Sequence, residues 1–197
     1  MILKASAIRN LTDARYFAAR EVDYLGFCID EGAPGYLDPM YMRAIMEWIE
    51  GPRIVGELPL SSPEVAAQTA QFYQLHAVQT PWPADRIPGE GFEKIASLSA
   101  DMSESAARAI LDSGAELFVL YDAPKSTIDR RADFWREAFG ARRILVHYLD
   151  APELLDRWLS DYAIGGLSIS GGDEEQTGVK SFEELDELFD ALESMAR

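Results

Sequence analysis

The chain has 197 residues, enough for one domain that buries a sizeable apolar core without disulfide or metal staples. Its 34 acidic residues outnumber 18 basic ones, giving a formal charge of -16. That field repels nucleic acid and anionic membrane surfaces, so neither is expected as a partner, and any phosphate site would have to be built locally from backbone N–H groups.

The single cysteine, Cys28, leaves no internal disulfide and suits a reducing, cytoplasmic setting. The opening MILKASAIRN lacks the apolar stretch of a secretory signal, and no apolar run approaches bilayer length.

Short apolar runs without strict polar alternation read as buried parallel strands. In chain order they cover 2–6, 24–28, 53–58, 77–79, 93–97, 117–121, 143–147 and 166–169. Helix starts lie between them. Asn10 with Asp13, Asp38-Pro39 and Ser62-Pro63 are N-terminal caps, and Asp101 with Glu104, Asp150 with Glu153 and Ser181 with Glu184 read as capping boxes. Gly51, Gly114 and Gly140 are expected to end helices. A helix over 103–113 would bury Ala106, Ala109 and Ile110. In the last helix, Phe182, Leu185, Leu188, Phe189, Leu192 and Met195 recur at three- and four-residue spacing, which makes one core-facing stripe.

Eight β-then-α units predict an α/β fold, a single compact (β/α)8 TIM barrel over 1–197. A doubly wound open sheet is the alternative. It would usually carry a glycine-rich first turn, whereas the turn here is Ser6-Ala7-Ile8-Arg9-Asn10.

In such barrels the working side chains sit at the C-terminal ends of strands. That rule nominates Ser6, the 30–36 loop, Gln79, Asp122, His147 with Tyr148, and Ser170-Gly171-Gly172. Asp122 is either a general acid or base or a helix cap. Ser170, Gly171 and Gly172 either gather N–H groups around an anion or form a tight turn. Ser6 is a poor nucleophile and no base without a partner. His147 can contact a ligand, whereas His76 reads as structural. These two are the only histidines, no Cys/His cluster exists, and no metal or other cofactor is expected. Nucleophile-elbow, phosphate-loop and zincin motifs are absent.

Taken in order, these segments resemble the phosphoribosylanthranilate isomerase family. Its opening K-I/V-C-G-I/L-T resembles Lys4-Ala5-Ser6-Ala7-Ile8-Arg9, and its L-G-F then S-P-R resembles Leu25-Gly26-Phe27 then Ala33-Pro34-Gly35. V-G-V-F resembles Ile54-Val55-Gly56-Glu57, V-Q-L-H resembles Val78-Gln79-Thr80-Pro81, and L-L-D-T resembles Val119-Leu120-Tyr121-Asp122-Ala123. The closing V-D-V/L-S/N-S-G resembles Leu167-Ser168-Ile169-Ser170-Gly171-Gly172.

The resemblance implies an aldose–ketose isomerase of tryptophan biosynthesis, monomeric or homodimeric, that opens a ribose ring with an acid, Asp122, and removes a neighbouring proton with a base. The base is a cysteine in the family and Ser6 here. The family's substrate-contacting arginine is Gly35 here, and part of its phosphate wall is Val146-His147-Tyr148-Leu149. The expected function is therefore isomerase-like with impaired chemistry, on a small-molecule ligand such as a phosphorylated sugar. Ser170, Gly171, Gly172, His147 and Gln79 are the expected binding residues. The alternative is a non-catalytic paralogue that binds a small ligand or a protein partner at the barrel mouth.

Overall fold

The computed structural model describes residues 1–147, 155, 158, 161–170 and 182–195. Eight parallel strands close into a barrel in sequence order. They are β1 (Ile2–Ser6), β2 (Tyr24–Cys28), β3 (Arg53–Glu57), β4 (Ala77–Thr80), β5 (Glu93–Ser99), β6 (Leu117–Tyr121), β7 (Ile144–His147) and β8 (Gly166–Ser170). The open-sheet alternative fails because β8 pairs with β1 along its whole length, from Ile2 opposite Gly166 to Ser6 opposite Ser170. Three strand boundaries agree with the apolar runs and five shift by one or two residues, as expected where a strand runs out into a loop.

The helices outside the barrel are α1 (Leu11–Ala19), α2 (Pro39–Met46), α3 (Pro63–Tyr73), α4 (Glu104–Leu111), α5 (Lys125–Asp129), α6 (Ala132–Ala141) and α7 (Glu183–Met195). Side chains of Asn10, Asp38 and Ser62 accept from N–H groups of the first turns of α1, α2 and α3, and Pro39 and Pro63 occupy first-turn positions where no N–H is needed.

Three local expectations are corrected. The cap of α4 is Ser103, whose hydroxyl accepts from Ala106 N–H; Asp101 lies two residues too early. In consequence the buried face is Ala107, Ile110 and Leu111, with Ala106 and Ala109 exposed. Gly140 lies within the last turn of α6 rather than beyond it. The boxes at Asp150 and Ser181 involve residues outside those described. In α7, Leu188, Phe189 and Leu192 are buried, as the periodicity requires.

Strand alternation sorts side chains into two compartments. Outward-facing residues such as Leu25, Phe27, Phe118 and Leu120 join Phe17, Met42 and Trp135 of the helices in the main core. Inward-facing Tyr24, Val55, Ala77, Ile95, Leu117, Val119 and Leu145 fill the N-terminal half of the barrel. This is the branched, apolar plug expected of such barrels. The C-terminal half is filled differently.

The β8–β1 seam sets the backbones too close for a side chain at Gly166. A Cβ there would fall on the carbonyl of Ile2 and within 2.8 Å of its nitrogen. Neither backbone atom can swing aside. Gly166→Ala is expected to destabilise the fold by about 3 kcal/mol, the upper end of overpacking costs, measured by urea unfolding. An unchanged midpoint would show that the seam yields.

Candidate functional site

The same alternation points a polar layer inward at the C-terminal end. Lys4 and Ser6 come from β1, Glu57 from β3, Gln79 from β4, Ser97 from β5, Tyr121 from β6, His147 from β7 and Ser168 from β8. Lys4 is wholly buried. Its Nζ donates to Ser6 Oγ at 2.6 Å and forms an ion pair with Glu57 Oε1. Glu57 Oε2 accepts from Ala7 N–H at 3.1 Å. Room for the pair comes from Gly26 on β2, where a Cβ would collide with the Glu57 carboxylate and the Lys4 ammonium. Two charges are thus taken out of water together, each supplied with further hydrogen bonds, which is the condition under which burial is tolerated.

Ser6, 2% exposed, sits at the junction of this network. It accepts from Lys4, shares a 2.7 Å hydrogen bond with Ser168 Oγ and also bonds the Tyr121 hydroxyl. Tyr121 accepts from Gln79 Nε2 at 2.8 Å, and Ser97 Oγ accepts from the same amide at 3.1 Å. Gln79 Oε1 is buried with no hydrogen-bond partner among the described residues.

Titration follows from this burial. Burial, then the negative charge of Glu57, pushes the Tyr121 phenol far above its ordinary range, so it stays a neutral donor. His147 lies against Tyr121, with ring centroids 4.7 Å apart, and its Nδ1 is 3.3 Å from Ser168 Oγ. Burial, then the charge of Lys4, lowers its pKa to about 4, so the ring is neutral at neutral pH. At the end of β2, burial pushes the Cys28 thiol up, which disfavours the thiolate.

The residues nominated from sequence are therefore divided. Ser6, Gln79 and His147 meet in one network, and Ser170 closes β8 beside Ser6. Asp122 is not part of that network. It is the first residue past β6, exposed, with a left-handed φ of 50°, and the inward end of the strand is Tyr121. The negative charge of Asp122 is a minor influence on His147, opposing the downward shift of its pKa. Gly171, Gly172 and Tyr148 lie outside the described residues. His76 is structural, its Nδ1 accepting from Ile54 N–H at 3.0 Å.

In the 30–36 loop, Asp30 accepts from Leu60 N–H, Ser61 N–H and the Ser61 hydroxyl, tying this loop to the one after β3. The pairing of Lys4 with Glu57 was missed from sequence. Its signal was present as a lysine and a glutamate set beside apolar residues of β1 and β3. Among the described residues, no group of three or more His, Cys, Asp or Glu could hold a metal ion.

No protein-family model matches the chain, and no curated protein matches it in sequence. Solved structures do match. A phosphoribosylanthranilate isomerase from Thermus thermophilus superposes with a TM-score of 0.77 at 24% identity, over 99% of this chain and 100% of that one. TrpF from Jonesia denitrificans gives 0.71 at 18% identity, over 100% and 98%. A phosphoribosylanthranilate isomerase in complex with reduced 1-(o-carboxyphenylamino)-1-deoxyribulose 5-phosphate gives 0.70 at 22% identity, over 96% and 97%. The chain thus has the fold of these isomerases from end to end.

Two measurements test the network. Glu57→Gln leaves the Lys4 ammonium buried without its counter-charge and is expected to cost about 3–5 kcal/mol in urea unfolding, while Lys4→Met with Glu57→Leu together should recover most of that loss. Below the ordinary histidine pKa of 6.5, the unfolded chain takes up a proton that folded His147 refuses until about pH 4. Stability is therefore full above pH 6.5 and falls as pH drops through this window. His147→Gln is expected to flatten that slope, and an unchanged slope would mean the ring protonates normally.

Proposed function

We propose that this protein is an isomerase-type barrel related in design to phosphoribosylanthranilate isomerase. In this reading it binds a small polyhydroxylated, phosphorylated ligand at the mouth, and its aldose–ketose rearrangement is impaired. The ligand class is supported by the complexed isomerase, which shares the fold over 96% of this chain. The same likeness supports a place in tryptophan biosynthesis and a cytoplasmic setting. Among the described residues no helix is long and apolar enough to cross a membrane.

The impairment is carried by the environment of Ser6. An Amadori rearrangement needs an acid at the ring oxygen and a base at the neighbouring carbon. In this reading the acid is Asp122, exposed immediately after β6. Ser6 stands at the position of the base. A hydroxyl has no accessible anionic form near neutral pH, and this one is committed to Lys4, Ser168 and Tyr121. The Lys4 charge beside it is already neutralised by Glu57, so little is left over to stabilise an alkoxide.

A second reading, ligand binding without catalysis, is favoured by the Tyr121–His147 ring pair. These rings present a neutral, hydrogen-bonding floor suited to hydroxyl groups rather than to proton transfer.

The test is loss of substrate fluorescence with freshly prepared phosphoribosylanthranilate. The wild-type chain is expected to be slow, and Ser6→Cys is expected to raise turnover by roughly 10²-fold or more, the low end of what a general base contributes. Turnover of the wild type at ordinary enzymatic rates would show that Ser6 is not limiting. Neither protein exceeding the uncatalysed rate would favour the second reading.

A further inference from the structure

Stability alone does not account for the buried pair of Lys4 and Glu57, because well-packed apolar residues in place of such a pair are often neutral or stabilising. The N-terminal half of the same interior is filled without charge, by Val55, Ile95, Val119 and Leu145. The pair stands instead at the C-terminal ends of the strands, where this architecture keeps its working groups. Lys4 belongs to the middle of β1, but its side chain rises to the end of the strand, where Nζ lies 2.6 Å from Ser6 Oγ. A lysine amine is a nucleophile toward carbonyl carbon once a neighbouring group takes its proton. Glu57 Oε1 is in direct contact with Nζ. Next to Nζ are groups able to hold a carbonyl oxygen: the Ser6 and Ser168 hydroxyls, 2.7 Å apart, and the Tyr121 phenol bonded to Ser6. Gln79 is joined to Lys4 through Tyr121 and Ser6, and its buried Oε1 has no partner among the described residues. A buried acceptor left in that state calls for a donor from a ligand, and a hydroxyl supplies one.

We propose that Lys4 is the nucleophile of a carbonyl-capturing site, its amine forming a protonated imine with a small hydroxyketone while Glu57 carries the transferred proton. Glu57 takes one proton from the Lys4 ammonium. The freed lone pair bonds to the carbonyl carbon, and the oxygen receives the displaced π electrons and a second proton from nitrogen. Glu57 then returns its proton to that hydroxyl, which leaves as water while nitrogen forms the C=N bond. Ammonium and ketone have become iminium and water. One positive charge still faces one carboxylate, so no buried charge is stranded when the step is complete. The remaining groups described in this layer are hydroxyls, an amide and the neutral His147 ring, so they suit a ketone flanked by hydroxyls rather than by charges.

Borohydride trapping on the full chain tests this, with dihydroxyacetone as the probe and mass spectrometry as the readout. The expected result is a reduced adduct at Lys4, formed at least roughly 10²-fold faster than at Lys94, the low end of what a positioned proton acceptor contributes. Peptide fragmentation separates Lys4 from the Met1 amine and from Lys94, Lys125 and Lys180, the other lysines of the chain. In urea the preference for Lys4 should vanish. Acetone, with the same carbonyl and no hydroxyls, should give a lower ratio of Lys4 to Lys94 labelling. Lys4→Met with Glu57→Leu, shown by thermal unfolding to be folded, should bring labelling of the intact chain down to the level of its surface amines. No adduct at Lys4, one formed no faster than at Lys94, or a preference that survives in urea would each overturn the proposal. An equal ratio with acetone would overturn the hydroxyketone as its ligand. Phosphoribosylanthranilate takes no part in the experiment, so failure here is distinguishable from failure of the isomerase reading.

Discussion

The Lys4–Glu57 pair is the constraint around which the upper half of this barrel is arranged. A lysine with no exposure to water needs a counter-charge, and the carboxylate arrives from β3, two strands away. It can reach only because Gly26, on the strand between, has no side chain to block the path. Once the pair is in place, its remaining hydrogen-bonding capacity has to be met, and Ser6 and the Ala7 N–H meet it. The serine then recruits Ser168 and Tyr121, and these in turn recruit His147 and Gln79. The network follows from one buried charge and the cost of leaving any of its neighbours unpaired.

That arrangement fills the upper barrel differently from the resembled motif. In the resembled motif the position of Ser168 carries an aspartate; here the interior carboxylate stands on β3 instead. The serine at the end of β1 accepts from the Lys4 ammonium, and the Tyr121 and His147 rings lie against each other in the same layer. Every titratable group that the burial perturbs is driven toward its neutral form: phenol, imidazole and thiol alike.

Much of the fold was legible because its signals are local. A run of five apolar residues, a proline after a capping side chain and a three-four stripe each occupy a single stretch of chain. The misreadings are local too: Asp101 and Ser103 both can cap, and only the actual start of α4 decides between them, which also rotates the buried face from Ala106 and Ala109 to Ala107 and Leu111. The site was less legible for a different reason. Whether Tyr121 or Asp122 faces the interior depends on a one-residue question of strand parity, and the left-handed turn at Asp122 is invisible to a motif. The pairing of Lys4 with Glu57 joins positions 53 apart in sequence, a relation that only ring closure creates.

The clasp formed by Asp30 bears on how such a protein could change over generations. One carboxylate holds the main chain of the following loop at Leu60 and Ser61, so the two loops form a single unit of the rim. Lengthening either loop alone would break three bonds at once. Variation in ligand preference is therefore channelled away from this sector of the rim, and a graft that exchanges loops here would have to carry both halves together.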